Sequence, residues 1–457
     1  MSTPHINRFP KDFVWGAATS SYQIEGAVDQ GGRGPSIWDT FCRQEGKVVK
    51  GEHGDIACDH YHRWPQDLDI LQELGFKAYR FSVAWPRILP TGLEKKPLQA
   101  GIDFYDRLVD GMLERGLDPW CTLYHWDLPN GLHELGGWPN RHTGDQFVRY
   151  ADIMSQALGD RVKNWITHNE PWVISVLGYL NGEHAPGHKS WKECLATGHH
   201  LLVSHAQAVP VIRANAKGCT VGITLNLCPA VPASPSHADK EACRQFDGEF
   251  NRWFLDPLYG RGYPKDVLET HVKKGRIESM NPEWILDGDM ELIPVKTDFL
   301  GINYYSRGII RSDEIPEEDN EPRTIPEPPK ESQTDMGWEV CPDALNGLLH
   351  HLHDVYAPPS IIITENGAAY PTGPNDDGVI QDDKRIEYFT GHLYACQEAV
   401  EAGVPLTGYF AWSLLDNFEW AWGYDKRFGI VYVDYETLER TPKQSARWFQ
   451  TLLSNKE

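Results

Sequence analysis

The run Ser360-Ile361-Ile362-Ile363-Thr364-Glu365-Asn366-Gly367 shows no polar alternation across its three isoleucines. A strand with that pattern is covered on both faces, as in a parallel sheet wrapped by helices. A carboxylate stands at its C-terminal end, and Asn-Gly turns the chain at once. Asn164-Trp165-Ile166-Thr167-His168-Asn169-Glu170-Pro171 is built the same way. It is a short strand with a terminal carboxylate, and its proline cannot extend a central strand. Apolar runs at residues 13–19, 76–82, 118–124, 220–227, 297–302 and 407–413 predict six more strands. Between them, amphipathic spacing predicts helices over 55–74, 103–115, 147–158, 199–215, 342–353 and 383–402. Gly75, Gly116 and Gly403 follow three of these helices and fit as C-caps.

Strand, loop and helix repeated eight times, with no antiparallel hairpin run, predict a (β/α)₈ barrel. Its extra length goes into the βα loops, and residues 1–457 are expected to form a single catalytic domain. Nearly every strand hands over a polar or aromatic group, and a closed ring would bring these groups to one pocket. Residues 312–330, rich in Pro, Glu and Asp, are too polar for a core element and are expected to form a surface loop.

Composition narrows the partners. A formal net charge of -22 disfavours nucleic acid and anionic membranes, where binding needs basic residues. No run approaches the ~18 apolar residues of a membrane span. The first residues show no basic start followed by an apolar stretch, so no signal peptide is visible. Nine cysteines without a Cys-x-x-Cys pair suit reduced thiols. A cytoplasmic protein is expected.

Two carboxylates at the ends of different barrel strands suggest glycoside cleavage. A retaining enzyme uses one as nucleophile and one as acid, then base; an inverting enzyme holds them further apart to admit water. Arg80 and Tyr305 are candidate neighbours that would keep Glu365 ionised. Glu170 sits in sequence beside Trp165, Pro171 and Trp172, where desolvation would raise its pKa toward that of an acid. Gln23, His125, Asn169 and Glu419 offer partners for vicinal hydroxyls. Trp126, Trp412 and Trp420 offer flat apolar faces, although any one of the 17 tryptophans is more often core.

These residues lie in motifs that resemble glycoside hydrolase family 1. The motifs are Thr-x-Asn-Glu-Pro at 167–171, Ile-Thr-Glu-Asn-Gly at 363–367, and Phe-x-Trp-Gly-x-Ala-Thr-x-Ser-Tyr-Gln-x-Glu-Gly at 13–26. Arg-Phe-Ser-x-x-Trp-Pro-Arg at 80–87, His-Trp-Asp-Leu-Pro at 125–129 and Trp-Ser-Leu-Leu-Asp-Asn-Phe-Glu-Trp at 412–420 join them. The resemblance is strongest to β-glucosidases and runs from about Phe9 to Phe449.

The resemblance implies a retaining β-glycosidase barrel with Glu170 as acid/base and Glu365 as nucleophile. Asn169 would bind the sugar 2-hydroxyl, and Tyr305 and Arg80 would orient the nucleophile. Gln23, His125, Trp126, Trp412, Glu419 and Trp420 would bind the glycone. Trp172 and Trp338 would line the aglycone side. The implied substrate is a small β-glycoside of the cellobiose type, with a place in cellulose breakdown. No cofactor or metal is implied, and a homo-oligomer stays open. Glu170 argues against the family's myrosinases, which carry Gln there. The charge of Glu419 argues against a phosphorylated glycone. His168 departs from the family's usual apolar residue and is expected to pack.

Three readings compete with this one. A metal-dependent barrel hydrolase would use histidines such as His60, His62, His199, His200, His350, His351 and His353, but these fall mostly on predicted helices rather than strand ends. A carbohydrate-binding protein without catalysis conflicts with the presence of both carboxylates. A net transglycosylase would share the glycosyl-enzyme and differ only in the acceptor.

Overall fold

Eight parallel strands close on themselves in the computed structural model, which describes residues 4–312 and 332–454. They are β1 (Val14–Ala18), β2 (Ala78–Ser82), β3 (Asp118–Tyr124), β4 (Asn164–Asn169), β5 (Thr220–Asn226), β6 (Phe299–Asn303), β7 (Ile361–Asn366) and β8 (Leu406–Trp412). Each pairs with its neighbours in sequence, and β1 closes the ring on β8, with Val14 opposite Gly408 and Ala18 opposite Trp412. The (β/α)₈ expectation holds, and β3 falls on its predicted bounds.

The two faces of each strand are both buried, which explains the unbroken apolar runs. Ala18, Ala78, Trp120, Ile166, Phe299, Ile362 and Phe410 fill the barrel interior. Small residues on some strands leave room for large ones on others. Gly16 and Gly222 belong to this fit. A Cβ on Gly16 would lie 2.3 Å from the Phe410 ring, and one on Gly222 would lie 2.5 Å from the Phe299 ring. The outward faces, Trp165 and Val221 among them, pack against the helices.

The helices deviate from prediction at their starts. Arg141–Leu158 and Trp191–Asn215 begin earlier because Asn140 and Ser190 cap them, accepting from the backbone N–H of His142 and Glu193. The helix expected from residue 55 begins only at His60, in His60–Glu73. Val173–Asn181, directly after β4, winds as a π-helix, which periodicity did not announce. Most of the segment 312–330 lies outside the described residues. Ser312 itself is buried, and its N–H donates to Asp239 Oδ1 at 2.7 Å.

Two of the ladder irregularities lie just before the carboxyl-bearing strand ends. The β4–β5 register shifts between Ile166 and Asn169, and the β6–β7 register shifts between Ile302 and Asn303. Such shifts re-aim the side chains that follow, and those here are Glu170 and Glu365.

Candidate active site

Glu365, on β7, is held from two sides. Arg80 Nη1 donates to its Oε1 at 2.5 Å, and the Tyr305 hydroxyl donates to its Oε2 at 2.6 Å. Arg80 rises from β2 and is fully buried. Its Nη2 donates to Asn169 Oδ1 at 2.6 Å, and its Nε donates to Thr122 Oγ1 at 3.2 Å. The guanidinium is therefore fixed by three strands.

Glu170 follows β4 with φ 54°, in the left-handed region that disfavours side chains. Its N–H donates to Thr224 O at 2.9 Å, which holds that turn. Asn303 Nδ2 donates to Glu170 Oε1 at 2.5 Å and to Asn169 Oδ1 at 3.1 Å, while its Oδ1 accepts from Thr364 Oγ1 at 2.7 Å. Asn303 thus joins the surroundings of both carboxyls. In the sequence it directly follows the apolar run at 297–302. Its signal was its place at a strand end, which many structural amides share.

Electrostatics separate the two acids. Burial pushes the Glu170 carboxyl well up, the nearby Glu365 charge pushes it further, and the Asn303 amide opposes. Burial also raises Glu365, but Arg80, the Tyr305 hydroxyl and Asn303 hold it back. A proton shared between them resides on Glu170. Desolvation of Glu170 is as expected, but Trp165 does not cause it. That indole lies on the helix-facing side of β4 and donates to Val162 O at 3.2 Å.

A cavity of about 990 Å³ opens over both acids. His125, Trp126, Trp172, Tyr305, Trp338, Trp412, Glu419 and Trp420 line it with them, and Asn303 reaches it too. Gln23, Arg80 and Asn169 bond directly to these lining residues. Gln23 Nε2 donates to Asn417 Oδ1 at 3.0 Å, to Phe418 O at 2.9 Å and to Glu419 Oε2 at 3.4 Å. The His125 ring lies parallel to Trp412 and Trp420, at 5.9 and 6.0 Å. Burial drives its pKa well down, so the imidazole is neutral. One ring nitrogen meets the Asn169 amide at 3.3 Å, and the other has no protein partner.

The aromatics divide by exposure. Trp126, Trp412 and Trp420 are buried. Trp126 spends its indole N–H on Asn169 O at 2.9 Å, and Trp420 stacks on Tyr22 at 5.9 Å. Trp172 stacks on Phe250 at 4.1 Å. Trp338 is 36% exposed beside Tyr305, at 5.4 Å.

Glu419 and His168 carried two other expectations. Burial and the Glu365 charge lift the Glu419 carboxyl to about 8, so it is protonated at neutral pH. Its charge therefore does not repel a phosphate there as the sequence suggested. His168 packs as expected, with its ring 4.1 Å from that of Phe147 and its Nε2 at 2.9 Å from Ser204 Oγ. Of the histidines weighed as ligands, His60 pairs with Asp67 at 2.7 Å, and His199 sits between Tyr263 and Asp289 at 2.9 Å each. Among the described residues, no group of three or more metal-ligating side chains converges.

A closed parallel barrel with two unequal buried carboxyls under one cavity defines the class of glycoside-cleaving barrels. Glycosyl hydrolase family 1 matches residues 5–457, and the chain belongs to it. Beta-glucosidase A of Thermotoga maritima is 45% identical over 455 residues, covering 99% of each chain. Beta-glucosidase A of Acetivibrio thermocellus is 46% identical over 448 residues, covering 98% of each. The solved family 1 β-glucosidase from Thermotoga maritima superposes with a TM-score of 0.91 at 43% identity, over 100% of this chain and 99% of that one.

Proposed function

We propose that the chain is a retaining β-glucosidase releasing terminal β-D-glucosyl residues from cello-oligosaccharides and from aryl or alkyl β-glucosides. The observation that carries this is the inequality of two carboxyls facing one cavity. Glu365 is clamped by Arg80 and Tyr305 and carries the negative charge. Glu170 is pushed toward protonation.

In the first step, Glu365 attacks the anomeric carbon while Glu170 protonates the leaving oxygen. Esterification then removes the Glu365 charge. The repulsion that raised the Glu170 pKa goes with it. Glu170 releases its proton and becomes the base that activates water for the second step. The same pair therefore supplies both protonation states in the order the reaction needs.

Asn169, fixed by Arg80 and Asn303, is placed to meet the 2-hydroxyl, and Tyr305 and Arg80 orient the nucleophile. Gln23, His125 and Glu419 take the other hydroxyls, with Trp126, Trp412 and Trp420 as the glycone wall. The unpartnered nitrogen of His125 and the protonated Glu419 carboxyl are hydrogen-bonding groups for hydroxyls. Trp172 and Trp338 face the leaving group. The family match over nearly the whole length supports one catalytic domain. Nine free thiols and the lack, among the described residues, of a helix fit to cross a membrane support a cytoplasmic place.

The test is rescue by azide. Glu365→Gly should yield an α-glycosyl azide, and Glu170→Ala a β-glycosyl azide. Near-normal turnover of Glu365→Gly without azide would refute the assignment.

A further inference from the structure

Trp422 is a large indole left 46% exposed, and it lines the same cavity. It lies two residues beyond the buried Trp420 and three beyond Glu419, so its surface continues the wall of the glycone site outward. Its backbone N–H donates to Glu419 O at 2.9 Å, which fixes the backbone of that turn. Trp338, also exposed, lines the same cavity. Lys426 ties the two segments together. Its Nζ lies 5.2 Å from the Trp422 ring centroid and donates to Asp335 O at 2.7 Å and Asp335 Oδ2 at 3.0 Å. Asp335 is three residues before Trp338.

An exposed indole costs free energy unless something covers it. Here the ring is held by a cation–π contact and a buried-side ion pair, so it is pre-set rather than mobile. The cavity, at about 990 Å³, lies at the upper end of the ~300–1,000 Å³ typical of ligand sites and exceeds what one sugar ring fills. Flat apolar rings beside charged hydrogen-bonding heads match a pyranose, which presents C–H faces and equatorial hydroxyls.

We infer that Trp422, steadied by the Lys426–Asp335 pair, forms a subsite for a glucosyl unit of the leaving group beyond the one next to the scissile bond. This deepens, and rests on, the glucosidase reading. It makes the chain favour cello-oligosaccharides of three or more units over cellobiose.

The experiment compares kcat/KM for cellotriose with that for cellobiose in the wild type, Trp422→Ala and Trp422→Phe. The ratio should fall about tenfold in Trp422→Ala and stay within about twofold in Trp422→Phe, because the phenyl ring keeps a stacking face. An unchanged ratio in Trp422→Ala, or an equal fall for both sugars, overturns the subsite. Calorimetric binding of cellotriose and cellobiose in a Glu170→Gln background repeats the comparison without turnover. Trp422→Ala added there should weaken cellotriose selectively, and equal weakening of both sugars overturns the proposal. Failure of the wild type to cleave p-nitrophenyl β-glucoside would instead strike the glucosidase reading, and is seen separately.

Discussion

Glu419 shows how one residue carries function against stability. Its carboxyl is buried, and its pKa rises to about 8, above the ~4.3 of an unfolded Glu. Below about pH 4.3 both states are protonated and the group costs nothing. As pH rises toward 8, the unfolded chain loses the proton first, so stability is lost across that window. Glu419→Gln removes the titration. Its melting temperature should exceed the wild type's by several degrees at pH 8 and match it near pH 4, as scanning calorimetry would read. The same variant should bind glucosides more weakly, because Gln offers a different hydrogen-bond pattern to the sugar. Equal melting temperatures at pH 8 would mean that Glu419 is not desolvated as described.

At the scale of elements, the loop after β8 is held from behind. Asp416 is fully buried and accepts from Lys443 Nζ at 2.7 Å, Arg427 Nη1 at 2.8 Å and Gly429 N at 2.9 Å. Lys443 immediately precedes the C-terminal helix Gln444–Ser454. Burial, aided by the Arg385 charge, draws its ammonium down to about 7, with Asp416 opposing. This ion cluster connects the chain's last helix to the turn bearing Asn417, Glu419 and Trp420. Asp416→Asn leaves the buried Lys443 and the half-buried Arg427 without this counter-charge, at a cost of about 3–5 kcal/mol. Denaturant melts should show that loss, and steady-state kinetics should show KM for glucosides rising more than kcat falls. A stability loss with KM unchanged would confine Asp416 to scaffolding.

Much of this scale was legible from sequence, for physical reasons. Strands buried on both faces read as apolar runs, so β3 and β7 were visible, and so were the carboxyls ending β4 and β7. Contacts between distant segments were not. Asn303 looked like any amide at a strand end, and only the fold brings it onto Glu170. Trp165 misled because, five residues before Glu170 on the same strand run, its indole faces the helices and not the cavity. Val173–Asn181 is apolar nearly throughout, so its period carries no sign of a π-helix. The Glu419 charge was misjudged because desolvation depends on packing that local sequence does not encode.

On the scale of the whole molecule, the closed barrel lets side chains from β2, β4, β6 and β7 converge although their residues span Arg80 to Glu365. No single element holds the chemistry; the ring does. The most direct measurement traps the glycosyl-enzyme. Incubation with 2,4-dinitrophenyl 2-deoxy-2-fluoro-β-D-glucoside slows the second step more than the first, because fluorine destabilises the oxocarbenium-like transition state while the good leaving group keeps glycosylation fast. Intact-mass spectrometry should then show one 2-fluoroglucosyl unit per chain, and peptide mapping should place it on Glu365. Label on Glu170 or any other residue, or one burst of dinitrophenol with no covalent adduct, would contradict the double displacement proposed for this pair.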